Sequence, residues 1–402
     1  MINLELPQRL TNSQSMMNSI ASSIFRPVAR KYDGLEHTEA PKELEMLGKL
    51  AGQGDGAVAA ATKSGDERVA GIKNAGNMSG IIATTELAWG CCGMMLSIPG
   101  VGLGNAAISA VGNKEQKERF GKLYCAMAIT EPSMGSDSAG VQTTAEQEGE
   151  EWVINGEKIF VTAGERGDAV VVWASLDRSL GKAALKSFVV EHGTPGMTVT
   201  RTEDKMGLRI SDTAAISFVN CRIPKSNILG SAEIADTEEA RRKAFGGVMQ
   251  TFDNTRPQVA AMALGIARGA LELTRELLKK EGVDPQYDKP LYSSTALEAE
   301  IYNMEADLEA ARLLTLKAAW MADNKQPNPK EASICKAKAG RVGNQVTLKC
   351  VELCGTLGYS EEQLLEKFAR DSKIIDIFEG TQQIQQLVVA RHVLGKSSKE
   401  LK

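Results

Sequence analysis

The chain has 402 residues, and its 47 Lys and Arg against 51 Asp and Glu give a formal net charge of −4 at pH 7. Hydrophobic residues make up 43% and charged residues 24% of the chain, which is typical of a folded protein of two or three domains and excludes a wholly disordered one. No basic excess is present that would bind a nucleic-acid backbone or an acidic membrane surface.

Three features of the sequence predict where the protein is located and whether it crosses a membrane. Seven cysteines at irregular spacing predict free, inert thiols in a reducing compartment, and no group of His and Cys has the spacing of a metal site. The N-terminus MINLELPQRL lacks the apolar core of a secretory signal, so we expect a cytoplasmic protein. Residues 87–113 carry no charge, but their glycines and Pro99 predict a buried, kinked helical pair rather than a membrane span.

In chain order, the sequence pattern changes twice. Residues 1–124 predict helices, because charged and apolar residues recur at helical spacing. Residues 125–235 contain short runs rich in Val, Ile, Phe and Thr, which predict one antiparallel β domain, with a hairpin turn at Asn155-Gly156. Residues 236–402 return to the helical pattern. Strands and helices do not alternate, so a doubly wound nucleotide-binding sheet is disfavoured.

The C-terminal part predicts four long helices. The first should begin near Pro257, since proline is favoured in the first turn of a helix, and the others should cover 294–322, 331–354 and 361–378. The predicted fold class is therefore mainly α with a central β domain, arranged as domains 1–124, 125–235 and 236–402.

One carboxylate near the C-terminus has unusual surroundings. Glu379 precedes Gly380 and Thr381, which predict the end of one helix and the cap of the next. A helix C-terminus disfavours an anion, and the apolar neighbours Ile377 and Phe378 would desolvate it. The pKa of Glu379 should therefore rise toward the range of a base that works near neutral pH. An ordinary surface glutamate at a helix end is the alternative.

Two other segments could bind a ligand. Residues 253–255 gather at the expected helix start beside Arg256, and a helix N-terminus binds anions; a plain helix cap explains all but the arginine. Thr130, Ser136 and Asp137 lie in a Pro- and Gly-containing loop at a strand end, which alone would be an ordinary loop.

Together and in this order, these segments resemble the acyl-CoA dehydrogenases over nearly the whole chain. The resemblance rests on five runs: Thr130-Glu131-Pro132 with Gly135-Ser136-Asp137, Phe160-Val161-Thr162, the MGLRISDT run at 206–213, the FDNTRP run at 252–257, and the EGTQQIQ run at 379–385. It implies an N-terminal helical domain, a middle antiparallel β-barrel or sandwich, and a C-terminal four-helix bundle.

The resemblance also implies an activity, the FAD-dependent α,β-dehydrogenation of an acyl-CoA thioester to the trans-2-enoyl-CoA. A thioester α-proton is weakly acidic, so the reaction needs a placed base and stabilisation of the enolate-like oxygen. Glu379 matches the family's base, and its backbone N–H matches a donor to that oxygen. Matches to FAD contacts are Met127, Ile129, Thr130, Ser136, Phe160, Thr162, Thr381 and Gln383. Matches to substrate contacts are Ser136, Asp253, Arg256, Phe378, Gly380, Met95 and Pro99.

The resemblance also bears on the length of the acyl chain and on the electron acceptor. In the family, the stretch at 94–100 lines the acyl pocket; here it is apolar and uncharged, which favours an acyl chain of medium length or longer, or a bulky one. The resemblance implies an electron-transfer flavoprotein as the acceptor. An acyl-CoA oxidase, which would use oxygen, is the alternative, although the chain length suits the dehydrogenases better.

Two departures concern the part of the FAD site that a neighbouring subunit completes in family tetramers. The long helix ends LLKKEGVDPQYDKP without the expected Arg and Phe-Gly, and Glu352 replaces a glutamine in the later run. Its carboxylate would repel a diphosphate. Three interpretations stay open: a heterotetramer with a related dehydrogenase subunit, which we favour; a homotetramer in which Lys279 or Lys280 substitutes for the arginine; and a non-catalytic structural subunit, against which the intact Glu379 argues.

Overall fold

The computed structural model describes residues 6–52, 76–99, 102–137, 140–234, 237–397 and 400, with only the backbone described at 49–52, 238–254 and 291. In these ranges, helices come first: α1 Gln8–Ile20, α2 Ala29–Leu35, α3 Leu44–Gly52, α4 Gly76–Leu96, α5 Leu103–Val111 and α6 Lys114–Phe120. The strands are β1 Cys125–Ala128, β2 Thr144–Glu148, β3 Glu151–Thr162, β4 Ala169–Ser175, β5 Leu185–Glu191, β6 Met197–Thr202 and β7 Thr213–Pro224. Helices α7 Glu238–Lys280, α8 Ala296–Asp323, α9 Pro329–Tyr359, α10 Leu365–Ile375 and α11 Gln382–Leu394 follow. The expected order of helices, sheet and helices is confirmed.

The uncharged stretch forms two separate helices, as predicted. Helix α4 is kinked at Cys91, where φ is −167° and ψ is 109°, and α5 begins at Leu103 after its N-cap residue Gly102. Helix α4 packs closely on α7, because a Cβ on Gly265 would lie only 2.3 Å from the carbonyl oxygen of Thr85. In the part of the chain that the structure describes, no helix is long and apolar enough to cross a bilayer.

The seven cysteines are free thiols, as the sequence predicted. All except Cys354 are buried, and burial raises the pKa of each thiol above its usual value. Because the thiolate is the reactive form, these cysteines are packing residues.

The middle of the chain forms one seven-stranded sheet in the order β1-β4-β2-β3-β7-β6, with β5 paired to β4. The sheet is mainly antiparallel, as predicted. Two pairings depart from that pattern, because β1 runs parallel to β4 and β2 meets β4 in parallel at Thr144 and Ser175. Strand β4 is buried along its whole length, which explains its continuous apolar run AVVVWAS. Strand β2 was not predicted, because its sequence TAEQE is mostly polar and exposed.

The predicted hairpin turn at Asn155-Gly156 is wrong. Both residues lie inside β3, at a bulge where the register with β7 shifts. A Cβ on Gly156, which has φ 152°, would lie 2.4 Å from Thr143 Oγ1, so close approach of another segment requires the glycine. The backbone N–H of Asn220 donates to Asn155 Oδ1 at 2.7 Å. The turn between β2 and β3 lies instead at Gly149, where φ is 61°.

Helix α7 begins well before the predicted start. Pro257 lies in its interior, so residues 253–255 belong to the middle of the helix and do not form an N-terminal anion site. A proline removes one backbone hydrogen bond, and the packing of this long helix against α4 and α9 offsets that loss. Helix α9 is central to the bundle and packs against α7, α8, α10 and α11.

A loop of the sheet fixes the relative positions of the three parts. Leu208, between β6 and β7, donates its backbone N–H to Asp371 Oδ1 of α10 at 2.7 Å, and Ser97 after α4 donates its hydroxyl to the carbonyl of Ile210 at 3.4 Å. A Cβ on Gly207 would lie 2.2 Å from the carbonyl oxygen of Arg370. This loop therefore ties the sheet to both α4 and α10, just before the segment that carries Glu379.

Candidate active site

Glu379 lies in a strained turn between α10 and α11. The backbone N–H groups of Ile377 and Phe378 still bond to the carbonyl of Ile374, at 2.9 and 3.0 Å, and then the chain turns with φ 55° at Glu379 and φ 94° at Gly380. A non-glycine residue at positive φ costs about 1–3 kcal/mol and persists only where its surroundings fix it. Helix α10 ends at Ile375, so Glu379 lies four residues beyond it, whereas the sequence predicted a helix that reaches residue 378.

Thr381 caps α11 as predicted. Its hydroxyl accepts the backbone N–H of Ile384 at 3.4 Å, and α11 begins at Gln382, three residues after Glu379. A side chain at residue 380 would be strained, because φ there is 94° and a Cβ would lie 2.6 Å from Gln385 Nε2.

Two buried side chains hold the carbonyl groups of this turn. Lys336 Nζ of α9 donates to the carbonyl of Gly380 at 2.7 Å. Gln385 Nε2 of α11 donates to the carbonyls of Glu379 and Gly380, at 2.9 and 3.1 Å. Both residues are fully buried. In contrast, the backbone N–H of Glu379 has no acceptor among the described residues.

The carboxylate of Glu379 faces one hydroxyl and two cations. Thr255 Oγ1 of α7 donates to Glu379 Oε2 at 3.0 Å. Burial raises the pKa of Glu379, and the hydrogen bond from Thr255 and the charges of Arg256 and Lys336 oppose that rise. The sequence prediction of a raised pKa by desolvation is confirmed. Such a carboxyl group can act as a base near neutral pH.

Several other predicted substrate residues lie around this turn or at the end of α4. Arg256 is buried and donates to Ser333 Oγ of α9 at 3.4 Å. Phe378 is half-buried against the bundle core, where Met95 also packs, and Pro99 is exposed. The side chain of Asp253 and the whole of Gly100 lie outside the described residues.

The residues predicted to bind the flavin ring lie at one end of β1 and β3. The backbone N–H of Ile159 donates to the carbonyl of Thr130 at 2.9 Å, which places the loop after β1 beside Phe160. Phe160 is at a second bulge of β3, with φ 57°, and its side chain is 60% exposed. Thr130 and Thr162 are half-buried. An exposed aromatic side chain at a bulge, with two threonines nearby in the chain and in the adjoining loop, is suited to a planar, hydrogen-bonding ring.

The remaining predicted cofactor residues are spread around these two groups. Met127 is in β1 and Ile129 follows it, both half-buried, while Ser136 is exposed in the loop. Gln383 is exposed on the first turn of α11. The structure thus collects the predicted residues into two groups, one at the ends of β1 and β3 and one at the α10–α11 turn.

An ion pair that the sequence did not predict supports the flavin-side loop. Lys158 Nζ and Glu131 Oε1 are 2.8 Å apart and both side chains are buried, and Lys158 also donates to the carbonyl of Ile129 at 3.1 Å. Glu131 further accepts the backbone N–H groups of Gln142 and Thr143. Burial opposes ionisation of Glu131, but these hydrogen bonds and Lys158 outweigh it and lower the pKa of Glu131.

Three residues that contact Glu379 or the α10–α11 turn had no site role assigned from the sequence: Thr255 of α7, Lys336 of α9 and Gln385 of α11. Of these, only Thr255 lay in a segment that was expected to bind a ligand. A signal existed for Lys336, because it shares a helix face with Ala332, Cys335, Ala339 and Gly343, all of them buried. A charged residue on the buried face of a helix must have a partner.

Three family models match the chain in order. They describe the N-terminal, middle and C-terminal domains of acyl-CoA dehydrogenases, and they match residues 10–127, 126–221 and 245–394. The chain belongs to the acyl-CoA dehydrogenase family and is an oxidoreductase of that family.

Individual relatives are consistent with this assignment. The chain is 37% identical over 322 residues to the mitochondrial short-chain specific acyl-CoA dehydrogenase of Bos taurus, covering 78% of this chain and 75% of the relative. It is 31% identical to the acryloyl-CoA reductase (NADH) of Anaerotignum propionicum, with 96% of each chain covered.

Solved structures share the fold over nearly the whole chain. Butyryl-CoA dehydrogenase from Megasphaera elsdenii has a TM-score of 0.82 at 30% identity, with 98% of this chain and 100% of that chain covered. A chain in the structure of the electron transferring flavoprotein of Acidaminococcus fermentans has a TM-score of 0.81 at 30% identity, with the same coverage. A glutaryl-CoA dehydrogenase of Mycobacterium smegmatis in complex with FADH2 has a TM-score of 0.79 at 25% identity, covering 98% of this chain and 96% of that chain.

Proposed function

We propose that this chain is an FAD-dependent dehydrogenase of short acyl-CoA thioesters, in which Glu379 removes the α-proton. The observation that carries the proposal is the α10–α11 turn: a carboxyl group with a raised pKa lies directly beside a backbone N–H that has no acceptor among the described residues. The carboxylate supplies the base, and the N–H can donate to the thioester oxygen.

The two groups act on neighbouring atoms of one substrate. Removal of an α-proton places negative charge on the thioester oxygen, and a fixed donor stabilises that charge because it needs no reorganisation during the reaction. The strained backbone at Glu379 fixes the donor and the base in one turn. The positive charge of the buried Arg256 lowers the pKa of Glu379 against the effect of burial and so favours the ionised form.

The residues at the ends of β1 and β3 fit a flavin. The exposed ring of Phe160 can lie against the isoalloxazine, and Thr130 and Thr162 can bond its polar edge; the family relative with bound FADH2 supports this assignment. FAD, when bound, would accept the β-hydrogen of the substrate as hydride. Ser136, Met127, Ile129, Thr381 and Gln383 would complete the cofactor contacts.

The acyl group is proposed to be short. The sequence alone favoured an acyl chain of medium length or longer, or a bulky one, but two of the relatives named above are a short-chain specific and a butyryl-CoA dehydrogenase by name.

The electron acceptor and the assembly also belong to the proposal. An electron-transfer flavoprotein is the expected acceptor, in line with the structural relative from Acidaminococcus fermentans. The expected assembly is a tetramer with a related subunit, because Glu352 replaces a glutamine and the expected arginine is missing after the long helix. The carboxylate of Glu352 is 68% exposed and pairs with Lys349 at 2.8 Å. Lys279, one candidate substitute, pairs with Asp284 at 3.2 Å.

Replacing Glu379 by Gln tests the proposed base. We expect dehydrogenation of butyryl-CoA to fall by about 10²–10⁴-fold, the usual contribution of a general base, while FAD content and thermal stability stay at the wild-type level. Glu361→Gln, at an exposed position after α9, is the matched control and should keep full activity. Retained turnover in the Glu379→Gln enzyme would remove the assignment.

A further inference from the structure

We propose that Lys336 is a positioning residue for Glu379: its ammonium group holds the strained Glu379–Gly380 turn and keeps the base ionised. This inference rests on the proposed role of Glu379 and deepens it. Lys336 comes from α9 and is fully buried, and its Nζ lies 2.7 Å from the carbonyl oxygen of Gly380.

Burial of a lysine is unfavourable unless an interaction compensates for the loss of solvent. Desolvation of an ammonium group costs several kcal/mol, and burial lowers the pKa of Lys336 to about 8. At neutral pH the group is still protonated. It therefore carries a buried positive charge that a methionine of similar size would avoid, and the structure places this charge at the turn of the proposed base.

Lys336 contributes to the geometry of the turn and to its electrostatics, and the geometric contribution is the more direct. Glu379 and Gly380 both have positive φ, a conformation that holds only where neighbouring groups determine it. The carbonyl of Gly380 accepts from Lys336 and from Gln385, so donors from α9 and α11 fix the same peptide. If one donor is lost, the turn can relax and move the carboxylate and the backbone N–H of Glu379 together.

The electrostatic contribution follows from the charges around the turn. Arg256 of α7 and Lys336 of α9 both face Glu379 and lower its pKa against the effect of burial. Lys336 in turn faces Asp376, which follows α10, as well as Glu379 and Arg256. Removing the charge of Lys336 therefore raises the pKa of Glu379 further, and a larger fraction of the base is protonated in weakly acidic solution.

The test compares Lys336→Met and Lys336→Arg with two reference variants. Lys338→Met is the matched control, since Lys338 is on the same helix but pairs with Asp307 at the surface, at 2.6 Å. Gln385→Met removes the neutral donor to the same carbonyl groups without changing any charge. All variants are compared as FAD-loaded protein, with thermal midpoint and flavin content measured first.

Two measurements separate the contributions. In butyryl-CoA turnover, Lys336→Met should lower kcat by about 10- to 100-fold, as expected for a misplaced catalytic group, with a small change in KM, and should move the acidic limb of the pH profile to higher pH. Gln385→Met should lower kcat without moving that limb, Lys336→Arg should return the limb toward its wild-type position, and Lys338→Met should match the wild type.

The second measurement does not depend on turnover. The protonated carboxyl band of Glu379, identified by its loss in Glu379→Gln, can be titrated by difference infrared spectroscopy. A midpoint that rises in Lys336→Met but not in Lys338→Met supports the inference even if butyryl-CoA is not a substrate. An unchanged midpoint and pH profile in Lys336→Met, with or without a loss of thermal stability, would leave Lys336 only a structural role and overturn the inference. A turnover that survives Glu379→Gln would instead refute the proposed function.

Discussion

At the scale of single residues, the proposed chemistry depends on the pKa of Glu379, which neighbouring groups shift in opposite directions. Burial raises the pKa of Glu379, and a hydroxyl and two cations limit that rise. Each of these neighbours comes from a different position: Thr255 and Arg256 from α7, Lys336 from α9. The strength of the base is thus set by side chains far from it in sequence, and each can be changed separately.

Thr255→Val isolates the hydroxyl. The hydrogen bond to Glu379 Oε2 at 3.0 Å stabilises the ionised form, so its removal should raise the pKa of Glu379 and move the acidic limb of the kcat/KM profile to higher pH. At pH values well above the pKa of Glu379 in both enzymes, the rates should converge. Thr198→Val, at an exposed position of β6, should leave the profile unchanged; a Thr255→Val profile that overlays the wild type would contradict the assigned contact.

At the scale of secondary-structure elements, the loop after β1 is fixed by a buried ion pair. Glu131 accepts hydrogen bonds from Lys158, Thr143 and Gln142, so one carboxylate joins β3 to the loop that leads into β2. If either Glu131 or Lys158 were removed, the charge of the other would be buried without a partner and without solvent. The two side chains must therefore be retained together or removed together.

Glu131→Gln should therefore destabilise the β domain by about 3–5 kcal/mol, the usual cost of breaking a buried pair. Urea unfolding followed by the fluorescence of Trp152 and Trp173, both in the sheet, measures this loss. The lowered pKa of Glu131 means that its contribution is present above the ordinary glutamate pKa of 4.5 and is lost as the pH falls through the lowered folded value. The difference from the wild type should accordingly shrink in acid.

Two controls accompany the Glu131 experiment. Glu150→Gln breaks an exposed pair with Lys225 at 3.9 Å and should change stability by less than about 0.5 kcal/mol. The double variant Glu131→Gln with Lys158→Met should lose less than the sum of the two single changes. Strict additivity would show that the two side chains do not interact.

The contact between the β6–β7 loop and α10 gives a second prediction at this scale. Gly207→Ala would place a Cβ 2.2 Å from the carbonyl oxygen of Arg370, so the loop or the helix must shift, at a cost of about 1–3 kcal/mol. We expect a lower thermal midpoint and a lower kcat, since α10 leads to the catalytic turn. Gly34→Ala, where no atom lies within 4 Å, is the control. A Gly207→Ala protein with wild-type stability and kcat would show that the close packing is not required.

At the scale of the whole molecule, the chain retains the residues of one half of the expected FAD site and departs in the other half. Thr130, Phe160 and Thr162 are arranged at one end of the sheet, whereas the exposed Glu352 carries a negative charge where the family resemblance implies an amide. A partner subunit that supplies the missing polar groups would explain this asymmetry.

Flavin content tests the proposed assembly. Purified alone, the chain should bind much less than one FAD per chain, and co-expression with a related dehydrogenase subunit should restore the flavin absorbance. In such a heterotetramer Glu352 would not face the diphosphate of a bound FAD. The change Glu352→Gln should therefore alter FAD affinity by less than about twofold. A protein that is fully yellow alone, with FAD bound more tightly after Glu352→Gln, would instead establish a homotetramer.

The sequence determined the broad architecture and the candidate base, for local reasons. Helical spacing, β-rich runs and the cap at Thr381 are properties of short segments, so the order of helices, sheet and helices followed from them. The raised pKa of Glu379 could be expected from its apolar neighbours. The failures were also local: Asn155-Gly156 has the sequence of a turn and Pro257 that of a helix start, yet the close approach of Thr143 and the packing of α7 decide otherwise.

The tertiary structure alone decided how the site is held together. Lys336, Thr255 and Gln385 surround Glu379 from three helices, and Glu131 and Lys158 join two strands of the sheet; no spacing in the sequence connects these positions. The physical reason is that a buried charge and a strained turn are stable only when groups from several elements meet there. A sequence shows which groups are present, but the fold decides which of them meet.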